Sequence, residues 1–174
     1  HRTKGIATTF VLVDTSAPAT ILGYYSLSAA SLAFERLTDV DRIGLPSYPI
    51  PAVRIGRLAA SAAHRGQRLG ELLLQNAIKR TLLARRTLGV YAVLVEAKDT
   101  AGEDFYRKYG FRLCNESTRQ LYLPLGRHTV STEKQHRFAQ LSESLAGEWL
   151  MLTFAASALY QFFIRQQRSY STQD

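Results

Sequence analysis

Residues 64–70 carry a short basic loop, His64, Arg65, Gly66, Gln67, Arg68, Leu69 and Gly70, which runs without a break into Leu72, Leu73 and Leu74. Just upstream, residues 53–59 have strand character, with Val53, Ile55 and Leu58 spaced along them. Strand, loop and helix in that order dictate an α/β unit. They leave unpaired backbone N–H groups at the helix start, where partial positive charge attracts phosphate oxygens. Arg65, Gln67 and Arg68 add side-chain donors. The segment reads as a pyrophosphate cradle.

Two common cradles do not match it. A Walker loop needs G-x-x-x-x-G-K-[ST], which is absent from the sequence. The dinucleotide fingerprint G-x-G-x-x-G needs a glycine spacing that Gly66 and Gly70 do not give. A second block follows. Residues 93–97 read as a buried strand, and Asp99 caps a helix with Glu103 and Asp104 near its first turn. Gly110 ends that helix ahead of Phe111.

The loop 65–70 resembles the acetyl-CoA loop [Q/R]-x-x-G-x-[G/A] of the GNAT acetyltransferases, and Phe105, Tyr106, Gly110 and Phe111 match that family's F-Y-x-x-x-G-F run. One position departs: Arg68 stands where the family's loop has a middle glycine. Its side chain either crowds the pyrophosphate or reaches round to pair with it. More narrowly, residues 5–125 resemble the acetyltransferase toxins of bacterial toxin–antitoxin pairs. The strings that carry this include Gly23-Tyr24-Tyr25 with Leu27 and Ser28, and Pro51 through Gly56, Arg57, Leu58 and Ala59.

The resemblance implies the GNAT acyl-CoA N-acyltransferase fold, a mixed, mostly antiparallel sheet with helices on both faces. In that family a first strand and a helix pair precede the segment that begins here at Ala7, so the N-terminal elements are expected to be missing. The division that follows is a GNAT domain over 1–126 and a helical extension of unassigned role over 127–174. Implied too is transfer of acetyl from acetyl-CoA to the α-amine of aminoacyl-tRNA, which blocks translation. The implied partners are a ribbon-helix-helix antitoxin, promoter DNA reached only through the antitoxin complex, and a second copy in a homodimer.

The whole chain is consistent with these expectations. Its 174 residues, 46% of them hydrophobic, suffice for one domain with an appendage. A net charge of +8 favours a polyanionic partner, although a solvated basic surface accounts for it equally. Between Arg54 and Arg127, 14 Lys/Arg stand against 6 Asp/Glu, an excess equal to the whole chain's. The charge thus surrounds the proposed site, which suits a tRNA end and suits CoA alone. The single Cys114 excludes an internal disulfide and, with no secretory signal, fits the cytoplasm.

Along the chain, the pattern predicts strands over 7–13, 20–28, 53–59 and 93–97 and a further strand starting at Phe111, with a loop or edge over 45–51 that holds three of the five prolines. A short helix is one reading of 32–42. A helix over 69–86 presents Leu69, Leu72, Leu73, Ala77, Leu82 and Leu83 as its apolar stripe. Lys79, Arg80, Arg85 and Arg86 near its end are read as complements to the helix dipole. Residues 131–144 read as a polar helix. Residues 149–164 are uncharged but shorter than the roughly 20 apolar residues of a membrane span, and are expected as a docked helix.

Acetyl transfer needs a held thioester, a neutral amine, a stabilised oxyanion and a proton for the leaving thiolate. An α-amine titrates near 8 and needs no strong base. A phenol, with a pKa near 10, is protonated at neutral pH and can donate to the thiolate. The resemblance places the catalytic acid at Tyr106; without the motif Tyr106 is one aromatic among nine Tyr. It assigns the cofactor to the backbone of Leu58 and Ala59, to Arg65, Gly66, Gln67, Arg68, Leu69 and Gly70, and to a second role for Asp99 beyond its cap. In the family a bulge exposes the Leu58–Ala59 backbone; the alternative is an ordinary strand. His64 is read as a surface residue, and the histidines have no metal-ligand spacing. Two other functions stand beside tRNA acetylation: a GNAT enzyme acting on small amines or protein N-termini, and an inactive toxin-like protein that regulates its promoter with an antitoxin.

Overall fold

The computed structural model describes residues 6–115, 119–126 and 149–154. The strands are β1 (Thr8–Asp14), β2 (Ile21–Leu32), β3 (Ile50–Ala60), β4 (Ala92–Glu96), β5 (Arg112–Leu113), β6 (Gln120–Pro124) and β7 (Trp149–Phe154). The helices are α1 (Asp39–Arg42), α2 (Leu69–Ala84) and α3 (Thr100–Lys108), with single 3-10 turns at Phe34–Arg36 and Ala62–His64. All seven strands join one sheet in the order β5-β6-β4-β3-β2-β1-β7. Every neighbouring pair is antiparallel except β3 and β4. This is the expected mixed sheet.

Both faces of its centre are buried, so β4 reads as a continuous apolar run. Val93 and Val95, with Leu121 and Leu123 of β6, face the core under α2 and α3. Ala92, Leu94 and Tyr122 face a second, smaller core closed by Phe34 and Leu37. That second cover is pinned by polar contacts. Asp41 Oδ2 accepts from the Tyr122 hydroxyl at 2.5 Å, and Arg112 bridges the other carboxylate oxygen. Tyr122 also accepts from the Thr38 N–H at 2.9 Å.

The α2 stripe differs from the sequence expectation at its end. Leu69, Leu73, Leu74, Ala77 and Thr81 are buried, whereas Leu82 and Leu83 are 40% and 55% exposed. Four-residue steps from Leu69 reach Ala77 and Thr81; Leu82 and Leu83 fall to either side of that face. Thr81 satisfies its hydroxyl on the Ala77 carbonyl at 2.9 Å. Among the four basic residues, Arg80 stacks over Phe10 at 4.2 Å and donates to Asn76 at 3.0 Å, while Arg85 donates to the Leu125 carbonyl.

Three other segments correct the sequence reading. β2 continues to Leu32, so the helical part of 32–42 shrinks to one 3-10 turn and the single turn of α1. Pro51 lies inside β3, opposite Ser31, and its carbonyl accepts from Tyr91 N–H at 2.8 Å; a proline is tolerated this close to a strand's start. The helix expected over 149–164 is a strand in its first six residues. Trp149–Phe154 pairs antiparallel with β1 from Asp14↔Trp149 to Thr9↔Phe154. A long-range partner, the open edge of β1, outweighs the local helical pattern there. The rest of that helix, and the one expected over 131–144, lie outside the described residues.

Candidate active site

The site grows from an irregularity in β3. Tyr25 of β2 pairs with Leu58, but Leu27 pairs with Ile55, so Gly56 and Arg57 together face Ser26. This is a β-bulge, and it re-aims the strand beyond it. A Cβ on Gly56 would sit 2.9 Å from Ser26 Oγ. On the other side, β3 pairs with parallel β4 only at Ala52↔Ala92, Val53↔Val93 and Arg54↔Leu94. Past Arg54, β3 stays with β2 while Val95 and Glu96 of β4 stay with β6. The two strands part into a V whose apex is the bulge.

Backbone parity says which groups line the V. Ser61 N–H donates to the Leu22 carbonyl at 2.7 Å. Hydrogen-bonded and non-bonded pairs alternate along an antiparallel ladder. Tyr24↔Ala59 is therefore bonded, and Gly23↔Ala60 and Tyr25↔Leu58 are not. Leu58 and Ala60 turn their N–H and C=O to the open side, while Ala59 is engaged by β2. The sequence reading named Leu58 and Ala59; the register replaces Ala59 by Ala60 as the second backbone group facing the cleft. Gly23 makes the close strand approach work: an added Cβ would lie 2.8 Å from the Ala59 carbonyl oxygen and 2.7 Å from Leu73 Cδ1.

Helices α2 and α3 begin at the carboxyl ends of β3 and β4, so both N-termini flank the mouth of the V. Between β3 and α2 the chain passes through Gly66, in the left-handed region at φ 86°, and Arg68, also left-handed at φ 58°. No side chain caps α2, and its first bonded N–H is that of Leu72, on the Arg68 carbonyl at 3.1 Å. The N–H groups of Leu69, Gly70 and Glu71 precede it. Arg65 and Gln67 are exposed beside them.

Arg68 is paired within the protein. It turns back onto its own helix: Nε lies 2.5 Å from Glu71 Oε2, and Nη2 lies 2.6 Å from Oε1. Tyr109 hydrogen-bonds the same carboxylate. Burial pushes Glu71 up, but these bonds outweigh it and hold the carboxyl below the usual range. Burial, reinforced by the carboxylate, holds the Tyr109 phenol strongly up. Glu71, Tyr109, Gly56 and Ala60 were missed from sequence. A glycine inside a strand and an Arg–Glu pair three apart in a first turn were the available signals.

Tyr106 lies on α3, its ring in the main core between Phe105 at 5.3 Å and Phe111 at 5.4 Å. Phe105 in turn approaches Gly70, 3.9 Å from where a Cβ would stand, which joins α3 to the start of α2. Burial raises the Tyr106 pKa, and its hydroxyl has no hydrogen-bond partner among the described residues. The phenol is neutral at physiological pH and free to donate. Asp99 is engaged as the α3 cap, accepting from Gly102 N–H at 2.8 Å. His64 Nδ1 lies 3.2 Å from Ser61 Oγ, and Cys114 is buried, its thiol pushed up to about 11. Among the described residues no cluster of His, Cys, Asp and Glu suits a metal ion, and no helix is long and apolar enough to cross a membrane.

The acetyltransferase (GNAT) domain model matches residues 7–113. The chain belongs to the GNAT acetyltransferase family. This GNAT chain is 31% identical, over 93 residues, to a tRNA-acetylating toxin of Mycobacterium tuberculosis (strain ATCC 25618 / H37Rv); the match covers 53% of the chain and 55% of that protein. The chain thus spans about half the length of the curated relative it matches. Among solved structures it is similar to AtaT complexed with acetyl-methionyl-tRNAfMet, at 27% identity and a TM-score of 0.64, covering 68% of this chain and 71% of that one. It is also similar to AtaTR bound with AcCoA, at 28% identity and a TM-score of 0.57, covering 68% and 70%.

Proposed function

We propose that this GNAT protein transfers acetyl from acetyl-CoA to the α-amine of aminoacyl-tRNA and so acts as a translation-blocking toxin. The observation that carries the reading is the V between β3 and β4, with unengaged backbone on its β3 side and the α2 N-terminus at its mouth. The backbone of Leu58 and Ala60 serves two parts of the cofactor: an N–H at one end polarises the thioester carbonyl and the other residue pairs with the pantetheine arm. The diphosphate sits on the N–H groups of residues 69–71, with the Arg65 and Gln67 side chains beside it. The amine attacks the thioester carbon, the C–S bond breaks, Tyr106 gives its proton to the departing thiolate, and the proton lost by the amine nitrogen passes to solvent, from which the Tyr106 phenol is reprotonated. Asp99 serves the site by starting α3, which carries Tyr106.

Support for the acceptor comes from the similar proteins: one is a tRNA-acetylating toxin, and another was solved with acetyl-methionyl-tRNAfMet. The +8 net charge fits a polyanionic acceptor. A toxin of this kind works with an antitoxin, here of ribbon-helix-helix type, and reaches promoter DNA through it.

The test is transfer of labelled acetyl from acetyl-CoA to a pool of charged tRNAs, with Tyr106→Phe as the control. Label on the aminoacyl end that weakens with added salt and is lost in the mutant supports the reading. Label on small amines or peptide N-termini in preference to tRNA overturns the acceptor, and full activity of Tyr106→Phe removes Tyr106 from the mechanism.

A further inference from the structure

A glycine adopts the left-handed region without strain, and Arg68 does not. Yet Arg68 holds φ 58° and ψ 27° at the one place where the loop turns into α2. Something must over-determine that conformation, and Glu71 is placed to do so. Its side chain is 9% exposed against 44% for Arg68, so the pair is anchored at the Glu71 end. Two parallel N–H···O bonds fix the guanidinium plane, and Tyr109 fixes the carboxylate from α3. The left-handed turn at Arg68 leads directly into the unpaired N–H groups of Leu69, Gly70 and Glu71, which suit an anion.

We propose that Glu71 is a positioning residue for the cofactor: by gripping Arg68 bidentately it imposes the left-handed turn that a glycine would adopt unaided, and so keeps the N–H groups of residues 69–71 aimed at the CoA diphosphate. This rests on the acetyl-CoA reading of the site. It accounts for a carboxylate in the first turn of a helix that receives an anion, because Arg68 neutralises that carboxylate. It also assigns Arg68 to loop geometry instead of direct phosphate contact. The competing arrangement, Arg68 as a phosphate ligand that Glu71 holds back, gives opposite signs.

The experiment is calorimetric binding of CoA to the full chain, to Glu71→Gln, to Arg68→Gly and to the double variant, with KM and kcat for acetyl transfer measured alongside. Glu71→Gln should weaken CoA about tenfold and raise the KM for acetyl-CoA, with kcat at saturation unchanged. In the Arg68→Gly background the same Glu71→Gln change should no longer weaken CoA and should tighten it, since glycine needs no grip and the carboxylate has lost the Arg68 charge that neutralised it. A general destabilisation by Glu71→Gln would persist in that background and would overturn the proposal. Unchanged or tighter CoA binding by Glu71→Gln overturns it as well and makes Arg68 a direct ligand. Failure of the unsubstituted chain to bind CoA overturns the acetyl-CoA reading together with this one, whereas normal binding there with an unaffected Glu71→Gln overturns this inference alone.

Discussion

Tyr106 sits one residue beyond the aromatic that touches Gly70, and its phenol is pushed up by burial. Its acid role therefore persists to pH values above the ordinary phenol range near 10. The amine that attacks titrates near 8. The proposed mechanism predicts that kcat/KM rises with pH through the amine's pKa, because the neutral amine is the nucleophile. The falling limb set by the acid is then displaced upward from the ordinary phenol pKa, the direction in which burial moves the Tyr106 phenol. A pH–rate profile checks this, and a falling limb below pH 9 would assign the proton to a different donor. In Tyr106→Phe, turnover should drop by about 10²–10⁴, the span of general acid catalysis, with CoA affinity retained in calorimetry. The residue was legible because a motif marked it. Its surroundings were not: the partners of Tyr106 come from the strand after Gly110 and from its own helix, and no spacing rule ties Glu71 to Tyr109 across two helices.

At the scale of elements, the parting of β3 from β4 depends on how closely β2 backs β3. Gly23 has no room for a methyl group, since backbone atoms of Ala59 and Ala60 stand 2.8 and 3.3 Å from where it would go. Gly23→Ala should cost about 1–3 kcal/mol by overpacking, read in thermal or urea unfolding, and should weaken CoA binding as the Leu58–Ala60 backbone shifts. The opposite face depends on Asp41. Burial raises its pKa, but the bonds from Tyr122, Arg112 and Thr38 outweigh this and leave it below the usual 3.8. A carboxyl lowered in the folded state stabilises fully above its unfolded pKa and loses that contribution as the pH falls through the folded one. Melting temperature should therefore decline as the pH drops below 3.8, and Asp41→Asn should flatten that part of the curve while lowering stability at neutral pH. Strand and helix positions were largely readable because hydrophobic period and caps are local signals: Asp99 and Gly110 bound α3 as expected, and Arg68 precedes α2. The bulge was not readable, because a register shift is a relation between two strands, and Gly56 alone only hints at it.

For the molecule as a whole, the sheet has one internal seam and one late addition. The seam is the single parallel pair, β3 with β4, and the cleft opens from it. The addition is β7, which covers the edge that β1 would otherwise present. A chain ending at Gly126 should keep the V and the loop, yet melt lower and self-associate, because an open edge strand is a template for pairing. Melting curves with light scattering test this; an unchanged melting temperature and a monodisperse short chain would show that β1 needs no cover. The strand at 149–154 escaped the sequence reading because its partner among the described residues is β1, a segment far away in the chain.

The pairing of Asp14 with Trp149 also sets an order of events in synthesis. β1 through β6, and with them every residue of the cleft, leave the ribosome before β7 does. At about 5–20 residues per second, the stretch between Gly126 and Trp149 takes roughly 1–5 s to make. During that interval a nascent chain whose cleft residues are already made carries an unprotected strand edge, the surface on which a chaperone or a neighbouring nascent chain would first take hold.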